Sequence, residues 1–170
     1  MTGGGSTGAD PAPDLLGAAD RAHLSRAIEL SRMAPPGGGD LPFGAVVVLG
    51  GQVVGEGRNE IATRTDPTAH AEILALRAAA ARLGRPDLSS AVLYSSSEPC
   101  PMCLTACYWS RIARVVCGAD VANTAEYGFE DRAYYRRLAL PAEERDLPVN
   151  GDDGLLRGDA VTALRRWHDG

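Results

Sequence analysis

The chain has 170 residues, 45% of them hydrophobic and 23% charged, with four cysteines and a net charge of -5, a profile that fits one soluble globular domain with a sizeable core. No apolar run approaches the roughly 20 residues that cross a bilayer, and the N-terminus shows no secretory leader, so a cytoplasmic protein with no membrane partner is expected. Every basic residue is arginine, and an acidic total without a basic tract argues against a nucleic-acid backbone as partner.

Residues 1–19 begin MTGGGSTGADPAPDLLG, rich in glycine and proline, and read as a flexible tail. Over residues 20–34, Leu24, Ala27, Ile28 and Met33 recur at helical spacing, and APPGGGD then ends the helix. FGAVVVL (43–49) and QVVGEG (52–57), joined by Gly50-Gly51, predict a β-hairpin. Asp66 reads as an N-cap with Pro67 at the first helical position, opening a helix that runs to Leu83 and stops at Gly84 and Pro86. SAVLYSS predicts a third strand, PCPMCLTACYWSR a helix opened by proline, and ARVVCGA a fourth strand. A helix over 131–138, a short fifth strand at DLPVN and a terminal helix over 158–167 follow. Strands alternating with helices indicate an α/β fold, a mixed five-stranded sheet with helices on both faces. One domain is expected over 20–150, with 151–170 as a C-terminal tail or helix.

The chemistry concentrates in two places. TAHAEILAL sets His70 and Glu72 two residues apart at the head of an apolar run, and EPCPMC sets Cys100 and Cys103 at C-x-x-C spacing near a helix start. Residues three apart on a helix share a face, so both sulfurs can reach one ion. One imidazole and two thiolates leave the fourth tetrahedral position open, the arrangement of a catalytic zinc with a water or hydroxide in that position. Glu72 is near enough to move protons without ligating the metal. Cys107, four residues past Cys103, is either a fourth ligand or a packed thiol, and the second reading is preferred; Cys117 is expected in the core.

This combination of HAE and PCPMC resembles the zinc-dependent nucleobase and nucleoside deaminases. The resemblance implies a three-layer α/β/α cytidine-deaminase-like fold, one Zn2+ per subunit on His70, Cys100 and Cys103, and Glu72 as catalytic proton shuttle. TAEYGFEDRAYYRRLALPAEER, GRNEIATRTDPTAHAE and LPFGAVVV are similar to the bacterial guanine deaminase branch. That branch implies substrate contacts at Asn59, the backbone at Ala71 and at Ser97, Asp131, and rings at Phe43 and Trp109. It also implies a homodimer in which residues 151–170 close the site or are exchanged with the partner subunit. A free purine-like base, guanine first, is the expected substrate. Alternatives are another amino-heterocycle (ammeline, isoguanine, cytosine or a nucleoside), transfer-RNA adenosine, or a structural zinc module without a reaction. The transfer-RNA alternative requires Arg58, Arg64, Arg111, Arg114 and the Arg136-Arg137 pair to converge on a positive surface.

Overall fold

The computed structural model describes residues 16–170; most of the proposed N-terminal tail lies outside them. In chain order the elements are α1 (Ala18–Ser31), β1 (Gly44–Leu49), β2 (Gln52–Arg58), α2 (Ile61–Arg64), α3 (Ala71–Leu83), β3 (Val92–Ser97), α4 (Pro101–Trp109), β4 (Arg114–Ala119), α5 (Val121–Glu126), α6 (Arg132–Ala139), a 3-10 turn (Ala142–Glu144) and α7 (Leu155–Asp169). They fall into two compact units, one ending at Asp131 and one running from Arg132 to Gly170.

In the first unit the sheet order is β2-β1-β3-β4, with β1 antiparallel to both neighbours and β3 parallel to β4. Gly50 and Gly51 both adopt positive φ in the hairpin turn, which residues without a Cβ accept freely. Alternation along β1 sends Val46 and Val48 to a core with Ala27 and Leu30 of α1 and Tyr94 of β3. Ala45 and Val47 face the other way, onto Ala71, Ala75 and Ala79 of α3. The result is the expected three-layer α/β/α arrangement around a mixed sheet.

Four strands, not five, are present among the described residues. The DLPVN segment forms no ladder: Leu147 and Val149 are exposed, and Pro148 has no N–H to contribute to one. A second expectation also changes. The helix does not start at Pro67, because Asp66 turns its carboxylate onto the amide and hydroxyl of Thr68 (2.8 and 2.7 Å) and closes a local turn. The N-cap is His70 itself. Cys117 lies on the edge strand β4 and is only half-buried, because it is its neighbour Val116, on the opposite face, that turns into the core with Ala27 and Leu30.

Where α3 crosses β2 there are almost no side chains. A Cβ built on Gly57 would sit 2.3 Å from the Ala71 carbonyl oxygen and 2.6 Å from the Ala75 nitrogen. One on Gly55 would meet the Ala75 oxygen and Ala79 nitrogen at the same distances. The helix therefore lies backbone against backbone on the strand, and this fixes the depth at which its first turn stands.

In the second unit, Arg145 donates to the carbonyls of Leu138 and Leu140 at the end of α6, and Arg137 pairs with Asp146. Leu155, Leu156, Leu164 and Trp167 of α7 are all exposed.

Candidate metal centre and active site

The two motifs meet at helix N-termini. His70 is the N-cap of α3, and Cys100 is the N-cap of α4 with Pro101 at the first helical position. Neither side chain is used to cap its own helix, so both are free to point elsewhere. His70 Nδ1 lies 3.7 Å from Cys100 Sγ and 3.5 Å from Cys103 Sγ. Tetrahedral zinc, with Zn–S near 2.3 Å and Zn–N near 2.0 Å, sets sulfur and nitrogen about 3.5 Å apart. Both sulfurs therefore already stand at zinc spacing from the imidazole nitrogen, and the three ligand atoms, all within 4.8 Å of one another, are the one such group of histidine, cysteine and acid side chains among the described residues. Cys107 is outside it, packed with Ala75, Leu76 and Leu88 and raised to about 12 by burial.

The titration of the set follows from its crowding. Cys100 is lowered to about 4, chiefly by the hydrogen bond from Cys103 and then by His70, against the cost of burial. Cys103 moves up, because it is the donor of that pair, is buried and faces Glu72. His70 is raised, mainly by Cys100. Positive helix ends add to the preference for thiolate at this point.

Glu72, in the first turn of α3, is buried, and burial is the main reason its carboxyl is raised. Its two oxygens are differently engaged. Oε1 accepts from Ser95 Oγ on β3 at 3.2 Å, and Oε2 faces Cys103 Sγ at 3.5 Å.

Around this core the expected substrate contacts sort themselves. Asn59, directly after β2, is 1% exposed. Its Oδ1 accepts from the amides of Leu41 and Ile61 (3.0 and 3.4 Å), which leaves Nδ2 as its remaining polar atom, a donor. That Nδ2 is buried and finds no hydrogen-bond partner among the described residues. Ala71 is fully buried as the first residue of α3, and Ser97 is buried at the end of β3. Asp131 is half-buried and close enough for its charge to act on His70 and Cys100; its own carboxyl is raised by burial and then by Cys100. Phe43 meets Phe129 edge to face, ring centroids 5.0 Å apart. Trp109 is not brought to this cluster: it ends α4, a nine-residue helix, and is 85% exposed. At 1.5 Å per residue that is about 13 Å of axis away from Cys100.

Two residues escaped the sequence reading. Phe129 holds the segment leading to Asp131 against Phe43, and Ser95 touches Glu72. The signal for Ser95 was a hydroxyl in VLYSSS at a position sharing its strand face with the buried Leu93.

Residues 18–119 match the profile of the cytidine and deoxycytidylate deaminase zinc-binding region. The chain belongs to that deaminase family. It is 46% identical over 125 residues to a guanine deaminase of Bacillus subtilis, covering 74% of this chain and 80% of that one. The crystal structure of the B. subtilis guanine deaminase superposes with a TM-score of 0.80 at 40% identity, over 86% of this chain and 93% of that one. A transfer-RNA-specific adenosine deaminase of Haemophilus influenzae is 41% identical over 110 residues, 64% of this chain and 63% of that one. This deaminase thus carries a zinc-binding domain whose ligands are set at the spacing the metal needs.

Proposed function

We propose that the protein hydrolyses free guanine to xanthine and ammonia in the cytoplasm, where reducing conditions keep its free cysteines available to zinc. The observation that carries the choice of base is the buried, unpartnered Nδ2 of Asn59. With Oδ1 taken by two backbone amides, Asn59 offers a ligand only a donor, which suits a carbonyl or an unprotonated ring nitrogen. An ionised Asp131 offers only acceptors, which suit a ring N–H and an amino group. Guanine presents both kinds of edge; adenine has neither the carbonyl nor the six-membered-ring N–H. The similarity to guanine deaminase over most of the chain supports the same reading.

His70, Cys100 and Cys103 would hold the zinc, which when bound acts as a Lewis acid that lowers the pKa of water to near 7. Glu72 performs the proton work. It takes one proton from the attacking water and delivers it to the ring nitrogen beside C2, then carries the second to the departing amino group, which leaves as ammonia. Each proton that Glu72 accepts it returns, so water and guanine balance against xanthine and ammonia. Burial favours this role, because it raises the carboxyl of Glu72 above its ordinary range and so makes the carboxylate a better proton acceptor than an exposed one. Asn59 and Asp131 orient the base, with Phe43 against one side of the pocket and the Ala71 and Ser97 backbones at its rim.

We further propose a homodimer in which residues 151–170 contribute to a neighbouring subunit; the exposed Leu156, Leu164 and Trp167 of α7 support a role in association. A transfer-RNA substrate is less favoured: Arg58 and Arg64 both pair with Glu60, Arg111 with Asp87 and Arg114 with Asp20. Each of these four arginines has a carboxylate beside it, so none adds a full unpaired charge to a basic surface of the kind a polyanion needs. Ammonia release by the zinc-loaded protein on guanine, guanosine, adenine, cytosine, cytidine, isoguanine and ammeline tests the proposal. Selective turnover of guanine is expected; turnover of adenosine in transfer RNA, with guanine untouched, overturns it.

A further inference from the structure

Ser95 is a fully buried hydroxyl on the strand face that packs against α3, among Ala45, Val47 and Leu93. A buried hydroxyl in such a layer needs a partner, and it has one: Oε1 of Glu72 at 3.2 Å. The other oxygen, Oε2, is the one turned toward Cys103 and the metal ligands. We propose that Ser95 is a positioning residue for the reaction: it ties down one oxygen of Glu72 so that the other alone carries protons.

The reason is geometric. A proton shuttle must receive from the water and deliver to two sites on the substrate without losing its place. A carboxylate free to rotate about its last torsion presents either oxygen, since that torsion is broad and roughly two-fold. A hydrogen bond from a rigid strand to Oε1 removes that freedom. Its donor sits in the middle of β3, whose backbone is held on both sides by β1 and β4. Ser95 itself touches neither water nor base and takes no proton; its own hydrogen remains on Oγ throughout. Thus it acts on kcat through Glu72, and it should leave the binding of guanine and of zinc almost unchanged.

This inference rests on the deaminase reading, so the experiment has separate arms for the two. Zinc-loaded wild type, Ser95→Ala and Ser95→Thr are compared by kcat and KM for guanine, by zinc content, and by the crystallographic orientation of Glu72. Ser95→Ala should lose about tenfold to a hundredfold in kcat, as expected for a lost hydrogen bond to a charged group and a displaced catalytic atom. Its KM should stay within roughly twofold and its zinc content at one per chain, while Glu72 takes more than one orientation. Ser95→Thr keeps the hydroxyl and should recover to within roughly threefold of wild type. Should Ser95→Ala fold poorly, Ser95→Cys, near in size with a weak donor, should fall between the two. An unchanged kcat in Ser95→Ala, a threonine variant as impaired as the alanine one with its fold intact, or an equal rise in KM overturns the positioning role. Absence of guanine turnover in the wild type would sink the substrate reading instead. The Ser95 role is then decided by the crystals alone: a single, unmoved Glu72 in Ser95→Ala overturns it, and a disordered one supports it.

Discussion

Replacing Gly57 by alanine should disable the site without touching any residue in it. The added Cβ would stand 2.3 Å from the Ala71 oxygen, 2.6 Å from the Ala75 nitrogen and 2.9 Å from the Leu74 Cβ. Ordinary contact begins near 3.4 Å, so the first turn of α3 has to move by about 1 Å, and no flexible side chain lies between to absorb the shift. Overpacking of this kind costs about 1–3 kcal/mol, or roughly 2–12 °C in Tm for a chain of this size. The chemical cost is larger, because that turn carries His70 and Glu72 while Cys100 and Cys103 stay behind on α4. A misplacement of about 1 Å in catalytic geometry costs on the order of a hundredfold in rate. Gly55→Ala makes the same backbone clash one helical turn further along, against Ala75 and Ala79. The assay pairs the two variants: calorimetry for stability, zinc content after dialysis, and kcat/KM for guanine. Similar losses in Tm are expected, with Gly57→Ala at least tenfold worse than Gly55→Ala in kcat/KM or zinc retention. If Gly57→Ala keeps wild-type activity and a full complement of zinc, the depth of α3 is not what sets the site.

Glu72→Gln should keep zinc and lose about a hundredfold to ten-thousandfold in kcat, read by ammonia release alongside metal content; loss of metal as well would make Glu72 a structural partner. Asp131→Asn should lower kcat/KM for guanine by about tenfold to a hundredfold while zinc stays at one per chain, and unchanged kinetics would remove Asp131 from the pocket. Asp20 accepts from Tyr94 (2.6 Å) and Arg114, and these two hydrogen bonds are the main causes that hold its carboxyl below the usual range. A carboxyl lowered in the folded state stabilises fully above its unfolded value of about 3.9, and that stability is lost as pH falls through the folded value. The Tm deficit of Asp20→Asn should therefore be present at pH 7 and shrink below about pH 4; a deficit constant with pH would show that the loss is packing alone.

The metal site was legible in the sequence because its residues sit at helix starts, where local spacing and three-dimensional proximity coincide. His70, Glu72, Cys100 and Cys103 are brought together by the resemblance of HAE and PCPMC to the deaminase signature, with a strand–helix frame around each. Asn59 was legible as a position, but not as a donor; that followed only once the Leu41 and Ile61 amides were seen to occupy Oδ1. The helix start at Ala71 was misplaced because Asp66 and Pro67 imitate a cap so well, and Thr68 captured the carboxylate first. The short helices α2 and α5, four and six residues, carry too little periodicity to announce themselves. Ser95 stayed hidden for another reason: its partner lies 23 residues away on a different element. No pattern within a strand reports what crosses from the helix above it.

The seam between α3 and β2 has a bearing on how such a protein can change over generations. When a core residue grows, a neighbour usually shrinks to make room, and the pair drifts together. Here the strand side is already Gly55 and Gly57, and the helix side is already Ala71, Ala75 and Ala79. The atoms that an enlarged strand residue meets first are backbone, the Ala71 oxygen and Ala75 nitrogen at Gly57 and the Ala75 oxygen and Ala79 nitrogen at Gly55, and trimming an alanine to glycine does not remove them. A first step in size on the strand side finds no second step on the helix that restores the fit, so that route is closed. Novelty in descendants of this chain has to arise away from the seam, while His70 and Glu72 stay where they are.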